Sequence, residues 1–160
     1  MFAASVRAEE GPSADEWIAP AIEKIEACRQ ASTVDHSPSE NCIGLIVSIC
    51  PGKDGSTSSM VGCFEVERRY WASQIAAPLQ ALRAYKAKFL GNQEPDYAVA
   101  PRLDIYQKDW ATWLQDKCGF AAHRYRRGSI GRTTRGMCGM RTTGERVLEL
   151  EMMVRQDVRE

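Results

Sequence analysis

Cys118 and Cys138 stand twenty residues apart on either side of a basic, glycine-containing segment. That spacing constrains the chain more than any other feature. Before it, Leu103, Tyr106, Trp110, Trp113, Leu114 and Cys118 recur at helical intervals, and after it Met140, Val147, Leu150 and Val154 do the same. A bridge between the two cysteines closes these segments into an antiparallel helical hairpin. On the chain-entropy model, tying off a loop of about twenty residues is worth on the order of 3 kcal/mol. The intervening Arg126–Gly136 holds Gly128, Gly131 and Gly136 and reads as a turn on rigid supports.

The other four cysteines are Cys28, Cys42, Cys50 and Cys63. None falls in a CxxC pair, and only His36 and His123 are available to complement them, so zinc is disfavoured and no metal or cofactor is expected. An even set of six points to three disulfides formed in an oxidising compartment. Many pairings are open in principle. The consecutive pattern Cys28–Cys42, Cys50–Cys63 and Cys118–Cys138 joins neighbouring helices over short loops. Met1–Ala8 ends in the small-residue pattern Val6-Arg7-Ala8, which reads as the remnant of an export signal cleaved before Glu9. The expected domain is then a single unit over 9–160. No apolar run reaches the roughly 18–20 residues that span a bilayer.

The rest of the chain is helical in pattern. Ser13-Ala14-Asp15-Glu16 is a capping box, and Trp17, Ile18, Ala21, Ile22, Ile25 and Cys28 carry a first helix to about Gln30. Pro20 is placed in or just after its first turn. Ser37-Pro38-Ser39-Glu40 starts a second, largely buried helix through Ile43, Leu45, Ile46, Val47 and Ile49, stopped by Pro51-Gly52. A third, from about Ser59 to Leu90, is expected to kink at Pro78. Asn92–Pro101 reads as a connector, the fourth helix spans Arg102–Tyr125, and the fifth runs from Met137 to about Val154. The fold class is therefore all-α, a disulfide-stapled bundle of about five helices.

Charge is unevenly distributed. Residues 1–67 hold eleven acids against four basic residues, so the remainder of this net-neutral chain carries +7. Between Lys117 and Arg146 stand eight basic residues and only Glu145 as an acid. Such a field steers an acidic partner surface, although an exported protein of balanced charge is not expected to bind nucleic acid. Catalytic motifs are missing: there is no GxSxG elbow, GxGxxG, phosphate loop or HExxH. Asp104, Asp109 and Asp116 fit a solvated helix face, and Trp110 and Trp113, three apart, fit a core. No catalytic residue is assigned.

Leu103, Gln107, Trp110 and Cys118, then Gly128-Ser129, then Cys138, Thr143, Arg146 and Leu150 form a spaced pattern. Upstream, Cys42-Ile43-Gly44, Cys50, Ser58, Cys63, Glu67 and Trp71 extend it. Together they resemble the lysozyme inhibitor LprI-type family of small exported bacterial helical proteins, over about residues 28–150. The chain departs from that pattern at Ala72, Ile75, Ala76 and Leu79, at Leu114-Gln115, and at Arg127, which replaces the first glycine of a Gly-Gly-Ser turn. The resemblance implies a periplasmic or secreted protein of the bacterial envelope, not an enzyme, whose protein partner is a lysozyme or a related peptidoglycan-cleaving enzyme. Arg126, Arg127, Gly128, Ser129, Arg132 and Arg135 are the candidate partner-binding residues. The competing expectation is a helical envelope module with a structural or interaction role unrelated to lysozyme.

Overall fold

The computed structural model describes residues 14–35, 39–90, 99–126 and 128–158. Among the described residues the regular elements are all helical. They are α1 (Ala14–Asp35), a 3-10 turn (Ser39–Cys42), α2 (Leu45–Ile49), α3 (Thr57–Ser73), α4 (Ala76–Leu90), α5 (Val99–His123) and α6 (Ser129–Val158). Five of the helices have fifteen residues or more, and α2 has five. The export-signal reading of Met1–Ala8 and the Ser13 and Ser37 caps lie outside the described residues.

The thirty-residue α6 is the axis of the bundle. At about 1.5 Å per residue it is some 45 Å long, and α3, α4, α5 and the 3-10 turn all pack against it. One core cluster joins Ala21 and Ile25 of α1, Cys42, Ile46 of α2, Trp71 of α3, and Val147 and Leu148 of α6. A second joins Leu79 and Leu82 of α4 to Leu103 of α5 and Leu150 of α6. Arg29 ties α1 down by pairing with Glu151 and donating to Tyr70 Oη at 3.4 Å. The disulfides are Cys28–Cys42, Cys50–Cys63 and Cys118–Cys138, the consecutive pattern.

Several element boundaries differ from the sequence reading, each for a local reason. Helix α1 continues five residues past Gln30, since no glycine or proline interrupts 31–35, and it places Pro20 in its second turn. The expected second helix is broken in two: Gly44, at φ 102°, takes a left-handed conformation between the 3-10 turn and α2. Only Ile46 of that stretch is fully buried, and Ile49 is exposed. The expected third helix divides into α3 and α4 at Gln74-Ile75, one turn before Pro78, where the proline ring meets the backbone. The expected connector yields its last residues to α5, which carries Pro101 in its first turn.

The largest difference lies at Arg126–Gly136. The chain turns at 124–126, and α6, which starts at Ser129, runs on through Gly131, Gly136, Gly139 and Gly144. These glycines serve close packing. A Cβ at Gly136 would sit 3.3 Å from Phe64, and one at Gly144 would sit 2.8 Å from Ile43 Cδ1 and 3.3 Å from Trp71 Cε2. Gly144→Ala is therefore expected to cost about 1–2 kcal/mol despite alanine's better helix propensity. Gly62, on the exposed side of α3 with open space around its missing Cβ, is the matched control. Gly62→Ala is expected to gain up to about 1 kcal/mol. Urea denaturation of the two variants measures the difference in sign.

Candidate functional site: the outer edge of the last hairpin

Helix α5 buries only a narrow stripe, Leu103, Leu114 and Cys118, with Gln107 and Trp110 half-buried beside it. A stripe this narrow leaves both flanks of the helix in water. Trp113 and Tyr106 are accordingly 50% and 47% exposed rather than core residues. Asp104, Asp109 and Asp116 are all exposed, and Asp104 pairs with Arg83 of α4.

Between α5 and α6 lies a cleft of about 640 Å³, lined by Tyr106, Asp109, Trp110, Trp113, Thr142, Glu145, Arg146 and Glu149 and closed at one side by Glu40. Its floor is organised by Arg146, which is 1% exposed. The guanidinium donates from both Nε and Nη2 to Gln107 Oε1 at 3.0 Å, and from Nη1 to Glu149 Oε2 at 2.8 Å. Its carbon lies 4.3 Å from the centre of the Tyr106 ring and 5.6 Å from that of Trp110. Tyr106 Oη completes the circuit by donating to Glu149 at 3.1 Å. One planar cation thus fixes two aromatic rings, an amide and a carboxylate, a task that suits the rigid fork of arginine. With four carboxylates against one buried cation, the cleft is negative overall.

The sequence-selected residues occupy the far end of the same hairpin. Arg126, Gly128 and Ser129 are brought together at its tip and are exposed. Arg127 lies outside the described residues. The tip forms because α5 ends in a tight turn, with Tyr125 N–H donating to Ala122 at 3.1 Å and Arg126 N–H to His123 at 2.9 Å. Arg126 itself adopts φ 53°, a left-handed position usually filled by glycine. Phe120, Tyr125 and Ile130 are exposed around it.

Arg132 and Arg135 sit farther along α6 and face another depression of about 450 Å³, shared with Glu65, Arg68, Leu114, Gln115 and Cys118. The Glu65 carboxyl there is held down to about 2, foremost by the Arg68 hydrogen bond and also by Arg69, against a desolvation that works the other way. The structure therefore places five of the six candidates, Arg126, Gly128 and Ser129 at the tip and Arg132 and Arg135 beside the depression. The Arg146 cleft was not selected from sequence. Gln107, Trp110 and Arg146 do belong to the shared pattern, and Tyr106 and Trp113, seven residues apart and out of step with the Leu103–Leu114–Cys118 stripe, are the signal that marks its exposed rim.

The described residues define a small all-α bundle, stapled by three disulfides, that presents an aromatic-lined cleft and an exposed basic tip on its last two helices. Residues 50–150, more than half of the chain, match the model of the family described as Lysozyme inhibitor LprI, and the chain belongs to that family. No curated protein and no solved structure matches it. The matched span takes in Glu67, Trp71, the α5–α6 disulfide, the tip and the α5 and α6 walls of the cleft, and leaves out α1, the 3-10 turn, Gly44 and α2. Three disulfides fit an extracytoplasmic protein, and no helix of the described residues is long and apolar enough to cross a membrane.

Proposed function

We propose that this protein is exported to the periplasm or beyond and acts there as a non-enzymatic inhibitor of a lysozyme or related peptidoglycan-cleaving enzyme. In this reading the Arg126–Ser129 tip enters the substrate cleft of the enzyme, with Arg132 and Arg135 on its flank. Glycoside-cleaving clefts carry a pair of catalytic carboxylates, and arginine forks bind carboxylates with two parallel hydrogen bonds. Family membership supplies the partner class.

The observation that carries the tip assignment is the backbone of Arg126. A side chain at φ 53° costs about 1 kcal/mol relative to glycine, and strain of this kind collects at functional positions. The surrounding Phe120, Tyr125 and Ile130 supply the apolar and aromatic company that anchors protein interfaces. The Cys118–Cys138 bridge holds the tip's two supports together, limiting the ordering lost on binding.

Two measurements on the oxidised protein test this. Wild type is expected to inhibit cell-wall lysis by an animal-type or bacterial lysozyme at concentrations up to tens of micromolar. Arg126→Gly is expected to melt about 3 °C higher while inhibiting roughly tenfold less well. Absence of both inhibition and binding would sink the function. Undiminished inhibition by Arg126→Gly would remove the tip from it.

A further inference from the structure

Along α5, Tyr106, Asp109 and Trp113 follow one another at three- and four-residue intervals, which puts the carboxylate on one helix face between two rings. All three line the cleft between α5 and α6. The residues three and four places either side of Asp109 are Ile105, Tyr106, Thr112 and Trp113, so α5 supplies it with no cation. The facing wall of α6 offers Arg146, but that guanidinium is spent on Gln107 and Glu149. Among the described residues Asp109 makes no ion pair, whereas Asp104, earlier on the same helix, pairs with Arg83.

The chain's own cations show what these walls attract. Arg146 lays its guanidinium 4.3 Å from the centre of the Tyr106 ring while bonding to Glu149. Lys117 holds its ammonium 4.7 Å from the centre of the Trp113 ring and 4.0 Å from Glu145. Each arrangement joins an aromatic face to a carboxylate, and both attract a cation. The first is buried and fully bonded. The second is loose and well exposed on both sides, so it adds little stability and yields to an incoming cation. Asp109 stands beside the same two rings with no cation of its own.

We propose that this cleft receives a lysine or arginine side chain from a partner polypeptide, its charged end seated against Asp109 and Trp113 with Glu145 on the opposite wall. Glu40, Asp109, Glu145 and Glu149 all line the cleft, which excludes an acidic occupant. An uncharged apolar occupant would take Asp109 out of water with nothing to repay the desolvation. A pocket for a free small molecule encloses most of its ligand. This cleft, with its two rim rings about half bare, suits instead a side chain whose backbone is held by the partner. The inference does not rest on the inhibitor reading, which places the partner at the tip, and its test contains no enzyme.

NMR titration of the oxidised full chain measures it, through the Trp113 indole N–H, assigned by its loss in Trp113→Phe. The probe is the acetylated and amidated peptide Gly-Lys-Gly-Lys-Gly. Half-saturation is expected at about 1 mM, weakening as salt is raised. The same peptide with norleucine for lysine keeps the stem without the charge and is expected to give no saturable shift. Asp109→Asn is expected to weaken binding of the lysine peptide roughly tenfold. Lys117→Met, which removes the competing ammonium, is expected to strengthen it about threefold. Both positions are exposed, and unchanged circular dichroism melting shows that the fold is intact. No saturable shift with the lysine peptide would overturn the proposal. So would equal binding of the norleucine peptide, undiminished binding by Asp109→Asn, or a shift produced by an N-acetylglucosamine oligomer and not by the peptide.

Discussion

Glu67→Ala is expected to lower the unfolding free energy by about 4 kcal/mol, the largest single-residue effect in the chain. Glu67 is 0% exposed although it is charged in type and sits mid-helix in α3. Its carboxylate is consumed by three donors: Gly44 N–H at 2.5 Å, Val47 N–H at 2.9 Å and Trp71 Nε1 at 3.0 Å. Helix α2 has only five residues and lacks a side-chain cap of its own, and Gly44 is the residue that turns the chain into it. Glu67 therefore performs from α3 the capping that α2 cannot perform locally. Alanine leaves three donors facing a cavity, each unsatisfied group costing about 1–3 kcal/mol before relaxation. Glu67→Gln is expected to recover little, because its amide nitrogen points a donor at donors. The Cys28–Cys42 and Cys50–Cys63 disulfides hold the segment in place, so the loss reads out as a lower urea midpoint and a red-shifted Trp emission in a folded protein. A glutamine variant within about 1 kcal/mol of wild type would show that the donors have other acceptors.

Arg146→Ala comes second, at about 3 kcal/mol, or roughly 9 °C in melting temperature for a domain of this size. Removing one member of a fully buried ion pair typically costs about 3–5 kcal/mol. The lower end applies here because Glu149 is 42% exposed and can be rehydrated once its partner is gone. What is lost is the packing of the arginine stem, the stacking on Tyr106, and the two bonds to Gln107. Arg146→Lys is expected to recover less than half of the loss, since one ammonium cannot bridge Gln107 and Glu149 while lying flat on a ring. Arg146→Met keeps most of the stem volume and separates packing from hydrogen bonding. If all three variants melt like wild type, the cleft is not organised on Arg146.

Both of these residues belong to the spaced pattern that ties the chain to its family, yet neither announces its role in one dimension. Glu67 reads as another surface glutamate in a run with Glu65, Arg68 and Arg69, and those three do form a partly exposed local network. What separates Glu67 is that it faces a backbone segment twenty residues earlier. Arg146 likewise reads as part of a basic stretch, and its burial depends on the partner helix supplying Gln107 and Glu149's neighbour Tyr106. Arg126, by contrast, stands outside every apolar periodicity and is exposed in the fold.

Helix periodicity, cysteine parity and the hairpin across Cys118 and Cys138 follow from residue order alone, because they rest on contacts between near neighbours and on a short loop that permits few closures. Only the tertiary structure decided the rest. Glycine in α6 looks locally like a turn, but against Phe64, Ile43 and Trp71 it is the residue that lets two helices approach. Tyr106 and Trp113 look locally like core, but α5 buries only the Leu103–Leu114–Cys118 stripe, so its second apolar row stays partly in water. Backbone propensity is set by the nearest few residues, whereas the value of a missing Cβ, a buried carboxylate or a bare ring is set by what stands opposite. In this chain that opposite surface is most often α6, whose partners α3 and α4 are distant from it in sequence.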